Sequence, residues 1–316
     1  MKAIVYSTRS FEIELLKNAN QNRHQLTLLD KPLSEETIDL AADNEAIVIF
    51  TNDDVTESIV NKMAKMGIKY IATRSVGTDH IHKIACEKEG IKIANVPSYS
   101  PHSIAEHTLM LVLALNRKLI LAQKRLREFD FKLDGLTGFN LFGKTVGIVG
   151  LGTIGKVTAD IFLGFGCKVI AYDLQTQSSS SQITSVSLDE LYATSDILSL
   201  HIPATPENIH LINKESLGKM KKGVMLINTG RGNLLHTSDA LDALKTGHLG
   251  YLGADVYEKE HGLFFENHHN DVDKDPILLE LLAHPNVIIT PHQAFLTNEA
   301  LTEIAAQTIK NLDEFN

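Results

Sequence analysis

Two doubly wound parallel α/β sheets are predicted for this chain of 316 residues, on three observations. Short apolar runs recur with helical patterns between them, glycines mark the helix-to-strand boundaries, and one long apolar helix separates two such series. The first series is KAIVY at 2, AIVIF at 46, KYIAT at 69 and IKIAN at 91. The second is TVGIVG at 145, KVIAY at 168, DILSLHI at 196, GVMLINT at 223, GYLGADVY at 250 and NVIITPH at 286. Strands that alternate with helices pair in parallel, because each crossover returns the chain to the same end of the sheet. Gly67, Gly90, Gly166 and Gly223 each stand just before a strand, where the chain takes a left-handed residue that glycine adopts without steric cost.

Ser100 and Pro101 read as N-cap and first residue of the dividing helix, which continues through HSIAEHTLMLVLALNRKL. Residues 1–100, rejoined by a C-terminal helix at 299–316, are expected to form one domain, with residues 101–298 inserted as the second.

Composition narrows the function. The hydrophobic share of 43% with 22% charged residues is that of a soluble globular protein. No apolar run nears the roughly 18 residues of a membrane span, and the opening MKAIVYSTRS enters a strand pattern without a basic leader. No membrane association and a cytoplasmic location are expected. A net charge of -9 repels a phosphate backbone, so no nucleic-acid partner is expected, and the basic stretch Lys118 to Arg127 reads as a solvated or subunit-facing helix end. An anionic substrate then needs a local cation such as an arginine. Cys86 and Cys167 have no partner spacing and read as reduced structural thiols. The serine run Ser178 to Ser181 reads as an exposed turn. His268, His269, Asp271 and Asp273 lack ligand spacing, since adjacent histidines diverge, and read as a solvated acidic loop; no metal site is expected.

Gly150, Gly152 and Gly155 form a G-x-G-x-x-G directly after a strand and opening a helix. The first makes a tight turn, the second lets a pyrophosphate approach the backbone, and the third lets helix and strand pack closely. The helix N-terminus offers N–H groups and a positive dipole to the anion. The next strand ends at Asp173, close to the roughly 20 residues downstream at which a carboxylate meets the adenosine ribose. Leu174 and Gln175 supply no arginine for a 2′-phosphate, so NAD is the expected cofactor.

Three polar groups follow later strands: Arg231 in INTGRGNLL, Glu260 in ADVYEKE and His292 in IITPHQAF. Each alone has an ordinary reading as a loop charge or a turn residue. Together, the glycine motif, Asn228 to Gly232, Asp255 to Glu260 and Pro291 with His292 resemble the D-2-hydroxyacid dehydrogenase family. The likeness extends to SVGTDHI at 75 and NVPSYSPHSIAEH at 95, and so covers nearly the whole chain. Within the family, LFFENHHND and PHQAFLTNEAL most resemble the fermentative D-lactate dehydrogenases. Gly230 departs from the serine or alanine common before the arginine.

The resemblance implies two Rossmann-like domains, a flavodoxin-like substrate domain and an inserted dinucleotide-binding domain. It implies reversible hydride transfer between NAD and a small 2-keto or 2-hydroxy acid, with pyruvate and D-lactate as the expected pair. Arg231 would hold the substrate carboxylate with its planar fork of donors, and the backbone at Val76 and Gly77 would bind the same group. His292 would be the general acid and base, with Glu260 favouring its charged form and orienting the ring. Thr153, Ile154, Pro203, Thr229 and Asp255 join the expected cofactor contacts, and Tyr99 and Phe295 the wall of the substrate pocket. A homodimer or homotetramer is implied. Two other readings stay open: a hydroxypyruvate or glyoxylate reductase with the same machinery, and a non-catalytic NADH-sensing protein of the corepressor kind.

Overall fold

Apolar runs become strands here because the central strands are covered on both faces. The computed structural model describes residues 1–175 and 180–315; Ser178 and Ser179 of the serine run lie outside the described residues. The chain divides into two compact units, Met1–Ser100 with Phe295–Asn316, and Pro101–Ala294. The return to the first unit comes at Phe295, ahead of the expected 299, because Phe295 is buried with its ring edge-on to Phe50, centroids 5.9 Å apart.

The smaller unit begins with β1 (Lys2–Val5), α1 (Ile13–Asn20), β2 (Gln25–Leu28) and β3 (Ala46–Ile49). It continues with α2 (Glu57–Met66), β4 (Tyr70–Thr73), α3 (Lys83–Lys88) and β5 (Lys92–Ala94). The strands lie in the order β2-β1-β3-β4-β5, all parallel, the flavodoxin-like order. Side chains alternate between two cores: Ile4, Ile47, Ile49 and Ile71 pack with Ile59, Val60 and Met63 of α2, whereas Ala3, Val5, Val48 and Ala72 face the other way. α2 is framed by local chemistry, with the Thr56 hydroxyl accepting from Ile59 N at 3.3 Å and Gly67 at φ 81 closing it.

In the larger unit α4 (Pro101–Asn116) and α5 (Leu119–Arg127) precede β6 (Thr145–Val149), α6 (Thr153–Gly164), β7 (Lys168–Tyr172) and β8 (Ile183–Ser185). Then come α7 (Leu188–Thr194), β9 (Ile197–Leu200), α8 (Lys214–Lys219), β10 (Val224–Asn228) and α9 (Thr237–Lys245). β11 (Leu249–Ala254), α10 (Pro276–Ala283) and β12 (Val287–Ile289) complete it. The order β12-β11-β10-β9-β6-β7-β8 is parallel throughout. It is the Rossmann order with one strand added beyond the sixth, and it reverses at β6.

α4 stops short of the expected run to Leu119. Lys118 takes a left-handed φ of 53. The Asn116 amide donates to Phe139 O at 2.7 Å and its oxygen accepts from Phe139 N at 2.8 Å, which docks the returning chain on the helix end. Two edge strands, β2 and β8, were not expected, because each is short and carries few apolar side chains.

α11 (Asn298–Phe315) belongs to the smaller unit. Its stripe of Leu301, Ile304, Ala305, Thr308, Ile309 and Leu312 recurs at three- and four-residue spacing, and Ala305, Ile309 and Leu312 cover Val5, Val48 and Ala72. Arg23 and His24 both hold Asp313 of this helix, with His24 Nε2 2.9 Å from Asp313 Oδ1.

A buried ion pair shapes the end of β4. Arg74 is 1% exposed, with Nε 3.0 Å from Glu12 Oε2, and its Nη2 donates to Tyr6 O at 2.9 Å and Ser7 O at 3.1 Å. A buried cation deprived of its partner cannot recover its hydration. Glu12→Ala is therefore expected to lower stability by about 3 to 5 kcal/mol in denaturant unfolding, and a loss below about 1 kcal/mol would mean that the pair is effectively solvated.

Candidate active site

The glycine turn lies at the end of β6, where the strand order reverses. Gly150 has φ 96, and a Cβ there would stand 2.5 Å from His201 O; one on Gly155 would stand 1.9 Å from Gly150 O. Both positions are closed to a side chain by backbone packing. Gly152 caps α6 and has nothing within 4 Å of its Cβ position, so the surface beside the helix end stays clear for a ligand. The first helical bond there runs from Lys156 N to Gly152 O at 3.0 Å, which leaves the N–H groups of Thr153, Ile154 and Gly155 without a partner inside the helix. Burial pushes the His201 imidazole down to about 4. It is neutral at pH 7, and attraction for an anion at this turn comes from the helix end.

Asp173 ends β7 beside the same turn. Its Oδ2 accepts from Leu151 N at 2.7 Å and its Oδ1 from Gln175 N at 2.8 Å. A carboxylate held next to an open glycine turn and a helix N-terminus fits the chemistry of a dinucleotide, whose pyrophosphate accepts N–H bonds and whose ribose hydroxyls donate to an acid. Pro203 follows β9 and is exposed, its carbonyl accepting from Asn208 Nδ2 at 2.8 Å. Thr229 follows β10, its hydroxyl 3.0 Å from that of Thr108.

The structure brings His292 and Glu260 together, His292 Nδ1 standing 2.9 Å from Glu260 Oε1. The second oxygen of Glu260 accepts from Tyr257 N at 2.9 Å, so the carboxylate is fixed at both ends. His292 has φ 53, a strained value for a residue with a Cβ. Its N–H donates to Asp255 O at 2.7 Å and to Thr290 O at 2.9 Å. The Phe265 ring lies 5.8 Å from the imidazole.

Asp255 was expected among the cofactor contacts, and its carboxylate turns out to be occupied elsewhere. It is 1% exposed and accepts from Gln293 N at 2.9 Å, from Ala294 N at 2.8 Å and from the Thr290 hydroxyl. The turn that carries His292 points its N–H groups at this one carboxylate, so Asp255 shapes the turn. His107 of α4 joins the cluster, its Nε2 2.9 Å from Thr290 Oγ1 and 3.3 Å from Asp255 Oδ1. Sequence reasoning missed His107, although its position inside an apolar helix was a signal.

Arg231 sits in a turn built by Asn228, whose Nδ2 donates to Arg231 O at 2.8 Å and whose Oδ1 accepts from Gly230 N at 3.1 Å. A Cβ on the following Gly232 would lie 2.1 Å from Tyr257 O, so the arginine turn rests directly on the backbone of the Glu260 loop. His268 and Asp271 pair at 2.7 Å in an exposed loop, and no group of three metal-ligating side chains occurs among the described residues.

In the smaller unit, Val76 and Gly77 follow Arg74 and β4. The Ser75 hydroxyl donates to Gly77 O at 2.7 Å and Asn95 Nδ2 to Val76 O at 2.8 Å. The N–H groups of Val76 and Gly77 donate to nothing among the described residues. Tyr99 is half-buried. Phe295, expected in a pocket wall, packs on Phe50 in the core, because its ring is the first anchor of the returning chain.

Residues 109–294 match the family described as D-isomer specific 2-hydroxyacid dehydrogenase, NAD binding domain. A relative from Haemophilus influenzae named 2-hydroxyacid dehydrogenase homolog is 45% identical, over 99% of this chain and 95% of its own. The D-lactate dehydrogenase of Escherichia coli is 42% identical, over 99% of this chain and 96% of its own. A solved structure of the pyruvate reductase of Chlamydomonas reinhardtii superimposes with a TM-score of 0.92 at 43% identity, covering 100% of this chain and 96% of that one.

Replacing Asp255 by asparagine would turn an amide N–H toward donors that now meet a carboxylate. Asp255→Asn is expected to cost about 1 to 3 kcal/mol of stability and to lower turnover by disordering the His292 turn. Wild-type unfolding and kinetics together would show that the cluster does not hold that turn.

Proposed function

The chain belongs to the D-isomer specific 2-hydroxyacid dehydrogenase family and uses NAD, and from that premise we propose that it reduces pyruvate reversibly to D-lactate. The observation that carries this reading is the His292–Glu260 contact at 2.9 Å, on the same edge of the sheet as the glycine turn. The names of two relatives, a D-lactate dehydrogenase and a pyruvate reductase, support the choice of substrate.

NADH supplies the hydride that reaches the carbonyl carbon. Arg231 holds the substrate carboxylate through its planar fork, and the part proposed for Val76 and Gly77 is donation of their backbone N–H groups to that carboxylate. His292 Nε2 gives its proton to the ketone oxygen as negative charge develops there, and takes it back from the hydroxyl in the oxidative direction. Glu260, on Nδ1, fixes the ring and stabilises the imidazolium. Thr153, Ile154, Pro203 and Thr229 are proposed as cofactor contacts around the glycine turn. Tyr99 is proposed as a wall that favours a methyl side chain, a discrimination worth roughly 10 to 200-fold against one more methylene.

A cytoplasmic location and a homodimer or homotetramer belong to the same proposal. No described helix is long and apolar enough to cross a membrane. The stretch from 119 to 142 exposes Ile120, Phe129, Phe131, Leu133 and Phe142 by 63 to 83%, apolar surface of the kind that a subunit contact covers.

Oxidation of NADH by pyruvate, 2-ketobutyrate, hydroxypyruvate, glyoxylate and phenylpyruvate tests the substrate. Pyruvate is expected to turn over fastest and to give D-lactate. A preference for hydroxypyruvate or glyoxylate would replace the substrate and keep the machinery, and an L product would overturn the proposal. Arg231→Lys loses the bidentate fork and is expected to cost roughly 100-fold in kcat/KM; unchanged kinetics would remove the carboxylate clamp.

A further inference from the structure

Two histidines of the larger unit share an uncommon pair of features. Both lie in the left-handed region, His210 at φ 55 and His292 at φ 53, and both place a ring nitrogen on a glutamate. His292 meets Glu260. His210 Nε2 stands 2.6 Å from Glu258 Oε1, and the two glutamates are two residues apart on one loop. The mechanism above uses only one of these pairs.

The second pair joins three segments that surround the proposed chemistry. His210 lies on the segment that begins at Pro203. Glu258 lies on the loop of Glu260, and its other oxygen accepts from Thr237 N at 3.0 Å, in the first turn of α9 beyond the Arg231 turn. The backbone is laced along the same line: His210 N donates to Asn233 O at 2.8 Å, Ile212 N to Leu234 O at 2.9 Å and His236 N to Ile212 O at 2.8 Å. Gly232 closes against Tyr257 in the middle.

Glu258 is built to stay ionised. Burial opposes its charge, but hydrogen bonds from Thr237 and His210 overcome burial and hold the carboxyl below its usual range. The other charged neighbours are spoken for: the His236 ring stands edge-on 4.7 Å from His210, with its Nδ1 3.0 Å from Asp239 Oδ2, and that oxygen also accepts from Lys214 N at 2.8 Å. Surfaces rarely hold a side chain of left-handed φ in place unless the surroundings over-determine it, and here two such histidines on separate segments are each held by a glutamate of one loop.

We propose that Glu258 and His210 form a positioning clasp that fixes the Arg231 turn against the Glu260 loop, so that the carboxylate anchor and the proton donor keep their separation during the reaction. The inference rests on the proposed roles of Arg231, Glu260 and His292. It assigns no contact with substrate to Glu258 or His210. A clasp of this kind acts on the substrate carboxylate more than on the dinucleotide, because the glycine turn and Asp173 lie on other loops and only Pro203 and Thr229 among the proposed cofactor contacts share its segments.

The test is kinetic and uses the whole protein. Glu258→Ala is expected to lower kcat/KM for the preferred keto acid by about 10 to 100-fold, mainly by raising KM, while NADH affinity from fluorescence titration stays within about twofold of wild type. Glu258→Gln, which still accepts from Thr237 N, is expected to recover most of the loss. If Glu258→Ala does not fold, His210→Gln removes the ring and leaves the Glu258–Thr237 bond; a KM at least about threefold higher supports the clasp. Wild-type KM in Glu258→Ala or His210→Gln, or NADH affinity falling in step with KM, would overturn it. Wild-type turnover in both Arg231→Lys and Glu260→Gln would instead overturn the underlying roles. A loss in those two with none in the clasp variants would remove the clasp alone.

Discussion

All seven strands of the larger sheet run in one direction, and that constraint gathers the chemistry. Every strand must end at the same edge, so the glycine turn after β6, Asp173 after β7, Arg231 after β10, Glu260 after β11 and His292 after β12 come to that edge from across residues 150–292. An antiparallel sheet would send alternate ends to opposite edges. The price of parallel pairing is that most strands are joined by crossover helices and the central ones need two apolar faces. The same requirement produces the wholly buried strands VMLIN and ILSL.

Within that edge the loops are shaped by side chains bonded to backbone. Asn228 closes the arginine turn, Asp255 collects the N–H groups around His292, and Glu260 is held by Tyr257 N as well as by the imidazole. The left-handed conformation of His292 costs on the order of 1 to 3 kcal/mol. It persists because its N–H meets two carbonyls and the next two residues meet one buried carboxylate. Rigidity here is local, and it aims a ring nitrogen whose placement decides proton transfer.

The sequence made the buried strands and the glycine motif legible, because both impose composition: a strand covered on both faces is a run of apolar residues, and Gly150 and Gly155 sit where a Cβ would strike backbone. β2 and β8 escaped notice because a sheet edge covers fewer side chains and so leaves a weaker apolar pattern. Arg231, Glu260 and His292 stood out through their words rather than their chemistry, since each alone looks like a loop charge. His107 and Glu258 stood inside such words with no role assigned to them, His210 stood outside them, and only folding shows which carboxylate meets which ring. Asp255 and Phe295 were legible as important residues, but not their packing: folding buries Asp255 among the N–H groups around His292 and sets Phe295 on Phe50.

The smaller unit is built from both ends of this stretch of chain, and α11 alone brings Ala305, Ile309 and Leu312 to the face formed by Val5, Val48 and Ala72. During synthesis the residues before Ser100 leave the ribosome first, whereas Asn298–Phe315 follows only after the whole larger unit has been made. At about 5 to 20 residues per second, that interval lasts on the order of 10 to 40 seconds. For that time the face of the nascent parallel sheet that Leu16 of α1 already meets lacks the part of its cover that α11 supplies, whereas the larger unit draws every element from one continuous stretch of chain.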